Sequence, residues 1–506
     1  MPDSLSLAEL IAAGRMSPDH RPWPRVEGTA ETWRAAIRLL AAQTFTLLGL
    51  WAEKDAVHMA LRDAATGDIA VMSLDCPQRQ FPTVAQMHPP ALHLEAAIRD
   101  LFGLQPIDSP DERPWLDHGR WGVRHPLGQA EPPTKTQPYA FLPTEGESLH
   151  EIAVGPVHAG IIEPGHFRFT ASGETVVRLE ERLGYVHKGI EGLMAGAELV
   201  HAARLAGRTS GDSTVAYGIA FARAAEAALK LEAPSRAVWL RALMGELERL
   251  ANHFGDIGAI CNDAAFSLMH AHCAILRERV LRAADACFGH RLMRDIIVPG
   301  GVTADLNEEG AAALQALLAE IRKRFPHLTE LYDNTASLQD RTVATGILKP
   351  ELARQYACGG YVGRASGRNF DARRSPGYPP YNLLRFEVPV LEAGDVNARV
   401  WIRIREVEQS LALIEQILGG LPPGSIRTLA TTGGGSGEGV ALVEGFRGDI
   451  LVWLRVGVDG RVQRCHLRDP SWFQWPPLES AIEGNIIADF PLCNKSFNCS
   501  YSGHDL

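Results

Sequence analysis

Hydrophobic positions in the first 130 residues recur at two different spacings. Residues 32–50 carry apolar side chains at intervals of three and four, which predicts an amphipathic helix. Residues 69–74 form a nearly continuous apolar run, which predicts a strand. A second helix is predicted over residues 91–102 and should end at Gly103, because glycine adopts the left-handed conformation that closes many helices. This region is therefore expected to mix helices and short strands.

Prolines interrupt these patterns between residues 103 and 150. They stand among polar neighbours at positions 106, 110, 114, 126, 132, 133, 138 and 143. Proline fixes φ and removes a backbone donor, so such a stretch favours a linker over a regular element. We predict a first domain over residues 1–130, a linker over 131–150 and a second domain over 151–506.

Long helical patterns dominate the second domain. They cover residues 189–205, 211–231, 236–290 with a break near Asp263, 309–325 and 399–418. Shorter strand-like runs cover residues 174–179, 440–443, 450–456 and 461–467, and the last two are joined by a hairpin turn at 458–461. The glycines of residues 431–439 predict a mobile loop. Together the patterns predict an α+β protein, in which a small N-terminal α/β domain precedes a large, mainly helical domain with small sheets.

Composition narrows the functional classes. The 506 residues carry a formal net charge of −10, which gives no electrostatic reason to bind nucleic acid. No apolar run approaches the roughly 20 residues that span a bilayer, and the first residues lack the layout of a secretory signal, so a soluble, cytoplasmic protein is expected. The eight cysteines include no Cys-x-x-Cys pair. We expect most of them to be small buried side chains rather than metal ligands.

Two imidazoles and a carboxylate lie close together in the sequence at His158, Glu163 and His166, just before Arg168. Imidazole and carboxylate groups commonly handle protons, since burial and neighbouring charges can move their pKa values toward neutrality. The alternative interpretation is that these polar residues only stabilise a turn.

A dense basic run follows later, from Arg364 to Arg374, and it includes Asp371. It could bind an anion or clasp buried carboxylates, and an ion-pair network that holds a loop is the alternative. Glu246, Arg249 and His253 fall on one face of a predicted helix, where an ion-pair face is the simplest interpretation. In the C-terminal tail, Phe497 and other aromatic residues alternate with polar ones, so the tail is expected to dock on the domain.

Several strings in the chain resemble the large subunit of group 4 membrane-associated [NiFe] hydrogenases and its relative, the 49 kDa quinone-site subunit of respiratory complex I. In order along the chain they are Gly155-Pro156-Val157-His158, Glu163-Pro164-Gly165-His166-Phe167-Arg168, Gly184-Tyr185-Val186-His187-Lys188-Gly189-Ile190-Glu191, Pro299-Gly300-Gly301-Val302, Arg364-Ala365-Ser366-Gly367 and Arg468-Asp469-Pro470-Ser471-Trp472-Phe473. The first domain, with Arg99-Asp100-Leu101-Phe102-Gly103, is similar to the 30 kDa subunit of complex I. The resemblance implies a fusion of these two modules.

The chain departs from the hydrogenase pattern at the metal ligands. In that family two Cys-x-x-Cys pairs hold nickel and iron, which favour soft sulfur ligands. The resemblance aligns Ala206 and Thr209 with the first pair, and Ser500 and Gly503 with the second. It also aligns Gly207 with the tyrosine that holds a quinone in complex I. No metal is therefore expected.

The same alignment predicts a metal-free cavity beside the proton-handling residues. Glu163 matches a glutamate that relays protons in the hydrogenases, and His158 matches a histidine of the first loop. We expect His158, Glu163 and His166 to be catalytic. The expected cofactor-binding residues are Ala206, Gly207 and Thr209, which would line the cavity, and Arg364 and Asp371, which would shape it.

The resemblance implies a hetero-oligomeric, complex I-like oxidoreductase linked to NAD(P)H or ferredoxin. Its partners would be a small iron–sulfur subunit that carries a 4Fe-4S cluster, and ion-translocating membrane subunits that hold the chain at the cytoplasmic face of the inner membrane. The chain itself would bind no cofactor directly except a quinone-like acceptor. NAD would belong to the complex, because the sequence has no Gly-x-Gly-x-x-Gly turn after a strand. The alternatives are a redox-inactive scaffold and an active hydrogenase, which would need a metal site without thiolate pairs.

Overall fold

The protein is described by a computed structural model that covers residues 6–135, 138–158, 162–428 and 436–506. Its α-helices, numbered along the chain, are α1 Leu7–Ala12, α2 Ala30–Ala41, α3 Leu92–Phe102, α4 Ile190–Met194, α5 Leu199–Ala206, α6 Thr214–Leu229, α7 Ser235–Asp263, α8 Ser267–Phe288, α9 Glu308–Asn334, α10 Ala336–Thr342, α11 Pro350–Gln355, α12 Gly360–Ala365, α13 Val396–Gly420, α14 Trp475–Ile482, α15 Phe490–Phe497 and α16 Tyr501–Asp505. Its strands are β1 Arg15–Ser17, β2 His20–Arg21, β3 Arg25–Glu27, β4 Phe45–Glu53, β5 Ala56–Asp63, β6 Ile69–Asp75, β7 Gln80–Pro82, β8 Gln105–Ile107, β9 Leu149–Val154, β10 His166–Ser172, β11 Thr175–Arg182, β12 Ile297–Val298, β13 Gly301–Val302, β14 Gly437–Gly445, β15 Gly448–Val456 and β16 Val462–Arg468. The predicted α+β class is confirmed.

The N-terminal region is built on a five-stranded sheet in the order β1-β3-β6-β5-β4. Helix α3 ends at Gly103, whose φ of 70° is left-handed, so the predicted helix stop is confirmed. The single helix predicted over residues 32–50 is wrong in its second half, because α2 ends at Ala41 and the chain continues as β4. Nearly every residue of β4 is buried, and a strand that is apolar on both faces can imitate helical spacing over a few residues.

The N-terminal region and the rest of the chain share one sheet. Strand β2 pairs in parallel with β14 at the edge of the sheet β16-β15-β14-β2. Arg25 donates to Glu438 of β14 at 3.1 Å, and both side chains are mostly buried. Residues before 130 are therefore joined to residues after 430 by backbone pairing and by an ion pair.

Helix α6 lies directly on β14, and glycine makes this possible. A Cβ atom at Gly439 would stand 1.8 Å from the carbonyl oxygen of Ala224, so no larger residue fits there. The predicted mobile loop over 431–439 is wrong at its end, where residues 437–439 begin β14, while residues 431–435 lie outside the described residues.

The helical half follows the predicted segments with adjusted ends. The break predicted near Asp263 is confirmed, since α7 ends there and α8 begins at Ser267. The pattern at 189–205 belongs to two helices, α4 and α5, and α9 continues through Pro326 beyond the predicted end. Within the described ranges, none of the helices combines the length and the apolar character that crossing a membrane requires.

Candidate functional site

The C-terminal helix α16 is held by the side chain of Asp505. Its buried carboxylate accepts hydrogen bonds from the backbone amides of Gly184, at 2.9 Å, and Val186, at 3.0 Å. The ring Nδ1 of His187 lies 2.7 Å from the carbonyl oxygen of Asp505. Hydrogen bonds to a charged acceptor are the stronger ones in proteins, so this carboxylate fixes the tail on the loop at residues 184–189.

The same loop connects the tail to the segment after α5. The carbonyl oxygen of Leu506 accepts from the amides of Lys188, at 2.8 Å, and Gly189, at 3.1 Å. The Nζ of Lys188 donates to the carbonyl oxygens of Arg208, at 3.0 Å, and Thr209, at 2.7 Å. Burial lowers the pKa of Lys188 from its ordinary value. Lys188 thus bridges the loop to the segment that the sequence aligned with the first pair of ligands.

The structure brings the two aligned ligand segments together. Ser210 and Ser500 lie hydroxyl to hydroxyl at 2.8 Å, and the Oγ of Ser500 also accepts from the amide of Gly503 at 2.9 Å. Ala206 and Thr209 are fully buried. The Oγ1 of Thr209 has no hydrogen-bond partner among the described residues. We call residues 206–210 and 500–503 the tail junction; they include the four positions that the resemblance aligns with metal-binding cysteines.

The residues of the tail junction do not fit a nickel–iron centre. A Cβ atom at Gly503 would lie 2.4 Å from Oδ2 of Asp469, so a cysteine there would collide with that carboxylate. Asp469 is itself fixed by the hydroxyl of Tyr217, which donates to the same oxygen at 2.6 Å. Cys499, next to the junction, is buried, and burial raises the pKa of its thiol well above the usual value. Within the described ranges, His, Cys, Asp and Glu side chains form no group of three or more that could hold a metal.

The three predicted catalytic residues have separate surroundings. The Nδ1 of His166 lies 3.0 Å from the carbonyl oxygen of Gly155, and its Nε2 is buried with no hydrogen-bond partner among the described residues. Glu163 is exposed and accepts from the amide of Ser502 at 2.9 Å, whereas His158 is half-buried. Residues 159–161 lie outside the described residues. The catalytic role of these side chains stays a prediction.

Arg364 and Asp371 belong to a buried ion cluster. Arg364 is fully buried and donates to Glu406 and to Glu444, both at 2.9 Å. Asp371 accepts from Arg373 at 3.0 and 2.7 Å. Burial acts to raise the pKa of Asp371, but the guanidinium groups of Arg373, Arg364 and Arg249 outweigh it and lower that pKa to about 2. The basic run therefore clasps buried carboxylates, one of the two roles that the sequence predicted for it before the alternative of a loop-holding network.

Helix α7 also contributes charged side chains to the buried ion cluster. They lie on the helix face that the sequence pattern predicted to form ion pairs. Glu246 accepts from Arg373 at 2.9 Å, and the Nε2 of His253 lies 2.7 Å from Glu406. Sequence reasoning missed Glu406 and Glu444, because they come from α13 and β14 and carry no local signal. Both are fully enclosed, so the charges neutralise one another inside the protein.

A large cavity lies between the proline-rich segment and the hairpin β10–β11. Its volume is about 1240 Å³, and its lining is rich in cationic and aromatic side chains. These include Arg113, Arg168, Arg182, Trp121, Tyr139 and Phe141. His166 also lines it, whereas Ala206, Gly207 and Thr209 do not. The structure thus separates residues that the sequence assigned to one cavity.

Cation–π contacts order the wall of this cationic cavity. The guanidinium carbon of Arg168 lies 4.2 Å from the ring centre of Phe141, and that of Arg182 lies 4.4 Å from the ring centre of Tyr139. Burial lowers the pKa of Arg182 from its ordinary value. Among the described residues, the carboxylates that share the lining are Asp100, Glu112 and Asp117. Arg168 also pairs with Glu151 at 3.1 Å, and Arg113 pairs with Glu180, so the cavity presents partly neutralised guanidinium groups in a partly desolvated setting.

Comparisons with known proteins match both halves of the chain. A family described as the respiratory-chain NADH dehydrogenase 30 kDa subunit matches residues 28–137, and one described as the 49 kDa subunit matches residues 263–433. Formate hydrogenlyase subunit 5 of Escherichia coli (strain K12) is 30% identical over 448 residues, which cover 86% of this chain and 78% of the relative. The carbon monoxide-induced hydrogenase of Rhodospirillum rubrum is 30% identical over 355 residues, 69% of this chain and 98% of the relative. An NADH-quinone oxidoreductase subunit of Dehalococcoides mccartyi (strain ATCC BAA-2266 / KCTC 15142 / 195) is 30% identical over 339 residues, 66% of this chain and 92% of the relative.

Replacing Asp505 by asparagine should loosen the tail. The amide has one acceptor oxygen and no charge, so the hydrogen bonds to Gly184 and Val186 weaken and the free energy of unfolding falls by about 1–3 kcal/mol. Hydrogen–deuterium exchange of segment 184–189 should accelerate in Asp505→Asn. Asp333→Asn, at an exposed position of α9, is the control. Unchanged exchange in segment 184–189 would contradict the anchoring role of this carboxylate.

Proposed function

This chain belongs to the family of complex I-type and group 4 [NiFe] hydrogenase-type large subunits, and from that premise we propose that it serves a membrane-associated oxidoreductase complex as a large subunit without a nickel–iron centre. One observation carries the proposal. At the tail junction Ser500, which the resemblance aligns with a metal-binding cysteine, meets the hydroxyl of Ser210, and a Cβ atom at the aligned Gly503 would lie 2.4 Å from Oδ2 of Asp469. Hydroxyl groups bonded to one another are poor ligands for nickel.

We propose that the cationic cavity faces the cluster-bearing surface of a small iron–sulfur subunit. A cluster ligated by thiolates is anionic, and each electron that it takes up adds negative charge. The guanidinium groups of Arg168 and Arg182 would stabilise the reduced cluster through this charge. The complementary charge supports docking at this face.

Electrons would then pass to a quinone-like acceptor, and His158, Glu163 and His166 would supply protons. His166 supports this assignment: its Nδ1 donates to the carbonyl oxygen of Gly155, and its buried Nε2, which has no hydrogen-bond partner among the described residues, can donate to a quinone oxygen when it is protonated. In this proposal ion-translocating subunits hold the chain at the cytoplasmic face of the inner membrane. The donor to the complex would be NAD(P)H or ferredoxin.

A redox-inactive scaffold is the second candidate function. The packing of the tail junction favours it, since Ala206 and Thr209 are fully buried and the cavity that His166 lines does not include them. A scaffold would couple partner subunits through the buried ion cluster and the tail, without turnover of its own.

Replacing Arg168 by methionine should lower the midpoint potential of the partner's cluster. Removing a nearby cation destabilises the reduced, more negative state, and the shift should be on the order of 50 mV. A redox titration of the assembled complex, followed by electron paramagnetic resonance, measures it. Arg322→Met, which breaks an exposed ion pair with Glu415, is the control and should leave the potential unchanged. An unchanged potential in Arg168→Met would contradict docking at this cavity.

A quinone-analogue titration of the assembled complex tests which of the two functions applies. An electron-transferring subunit should show saturable binding that weakens about tenfold or more in His166→Ala, because a buried hydrogen bond is lost. His327→Ala, at an exposed position of α9, should bind like the wild type. Absence of saturable binding in the wild-type complex would contradict electron transfer to a quinone and leave the scaffold.

A further inference from the structure

Glu181 is a buried carboxyl group that neither proposed function uses. It lies in β11, its residue is only 1% exposed, and both of its carboxylate oxygens are buried without a hydrogen-bond partner among the described residues. Burying an ionised carboxylate without a partner costs several kcal/mol, so such a group takes up a proton instead. The carboxyl group of Glu181 is therefore expected to be protonated and uncharged in the folded protein.

A second carboxyl group stands against the same strand. Oε1 of Glu479, in α14, accepts from the backbone amide of Glu181 at 2.8 Å. Glu479 is half-buried, so it has the access to solvent that Glu181 lacks. The buried Glu181 thus has a second carboxyl-bearing residue beside it, Glu479, which is partly accessible to solvent.

Other titratable and charged groups face this pair from several elements. Those facing Glu181 are Asp505, Tyr501, Cys499 and Tyr356, and those facing Glu479 are Glu180, Arg113 and Glu483. Burial raises the pKa of Glu479 to about 8. Burial also raises the pKa of Glu181 well above its ordinary value, and the charges of Glu479 and Asp505 raise it further. The acidic neighbours thus shift the pKa of Glu181 in the same direction as burial does.

We propose that Glu181 and Glu479 form a proton-holding site, in which Glu181 stores a proton beside the C-terminal tail and Glu479 exchanges it with solvent. The two carboxyl groups make no direct hydrogen bond, so the O–H bond at Glu181 breaks as its proton passes to an intervening water molecule, which gives one of its own protons to the Glu479 carboxylate; Glu479 then releases that proton to solvent. Uptake follows the reverse route. The site is independent of any electron acceptor, and it is a property of the chain itself.

Infrared spectroscopy of the full chain tests the site directly. At neutral pH the wild type should show carboxylic acid C=O absorption, of which Glu181→Gln removes one component and Glu181→Asp retains that component in shifted form. Transfer to D₂O should shift the wild-type band rapidly, and Glu479→Gln should slow this shift about tenfold or more. Glu174→Gln, at an exposed position before the same strand, is the control and should leave the acid band intact.

The pH dependence of stability gives a second readout. The folded state keeps protons that the unfolded chain releases above the ordinary value of 4.5, so the pair's contribution to stability is complete below that pH and is lost as pH rises through about 8. Glu181→Gln should therefore flatten the fall of the melting temperature across this range. An acid band that persists unchanged in Glu181→Gln, or an unchanged exchange rate in Glu479→Gln, would overturn the proposal. Neither result would bear on the docking of an iron–sulfur partner.

Discussion

The docking of the C-terminal residues holds the candidate site together. Asp505 and Leu506 are buried and bind the loop at residues 184–189. The ring of His504 stacks on Trp472 at 4.1 Å, and its Nε2 accepts from the indole of Trp115 at 3.2 Å. The last few residues therefore join the proline-rich segment, the loop and the end of β16. Without this contact, the tail junction would not be fixed in place.

Buried charge is the second constraint on the molecule. The cluster of α7, α12, α13 and β14 neutralises its own charges, and that arrangement costs desolvation energy which a purely apolar core avoids. Such a cluster is rigid, because each guanidinium has several fixed acceptors. The cationic cavity differs, since its arginines line an open space, where Arg168 pairs with Glu151 and Arg113 with Asp111 and Glu180. The structure thus separates charges that are enclosed in the fold from charges that line a cavity.

Local signals in the sequence predicted local structure well. The stop at Gly103, the break at Asp263 and the docking of the tail were each predicted from the residues of one short segment, and the structure confirms all three. Strand β4 was missed because burial on both faces removes the alternation that identifies a strand. The carboxylates of Glu406 and Glu444 were missed because they lie 42 and 80 residues from the arginine that they bind. A sequence shows which side chains carry charge, but the topology of the fold decides which of them meet.

Metal analysis of the assembled complex tests the central claim most directly. The tail junction supplies hydroxyl groups, an alanine and a glycine where thiolates would be needed. The complex, purified from cells that mature nickel enzymes, should contain iron from its partner subunit, no stoichiometric nickel and no hydrogen-evolving activity. One nickel per chain, together with hydrogen evolution, would contradict the account.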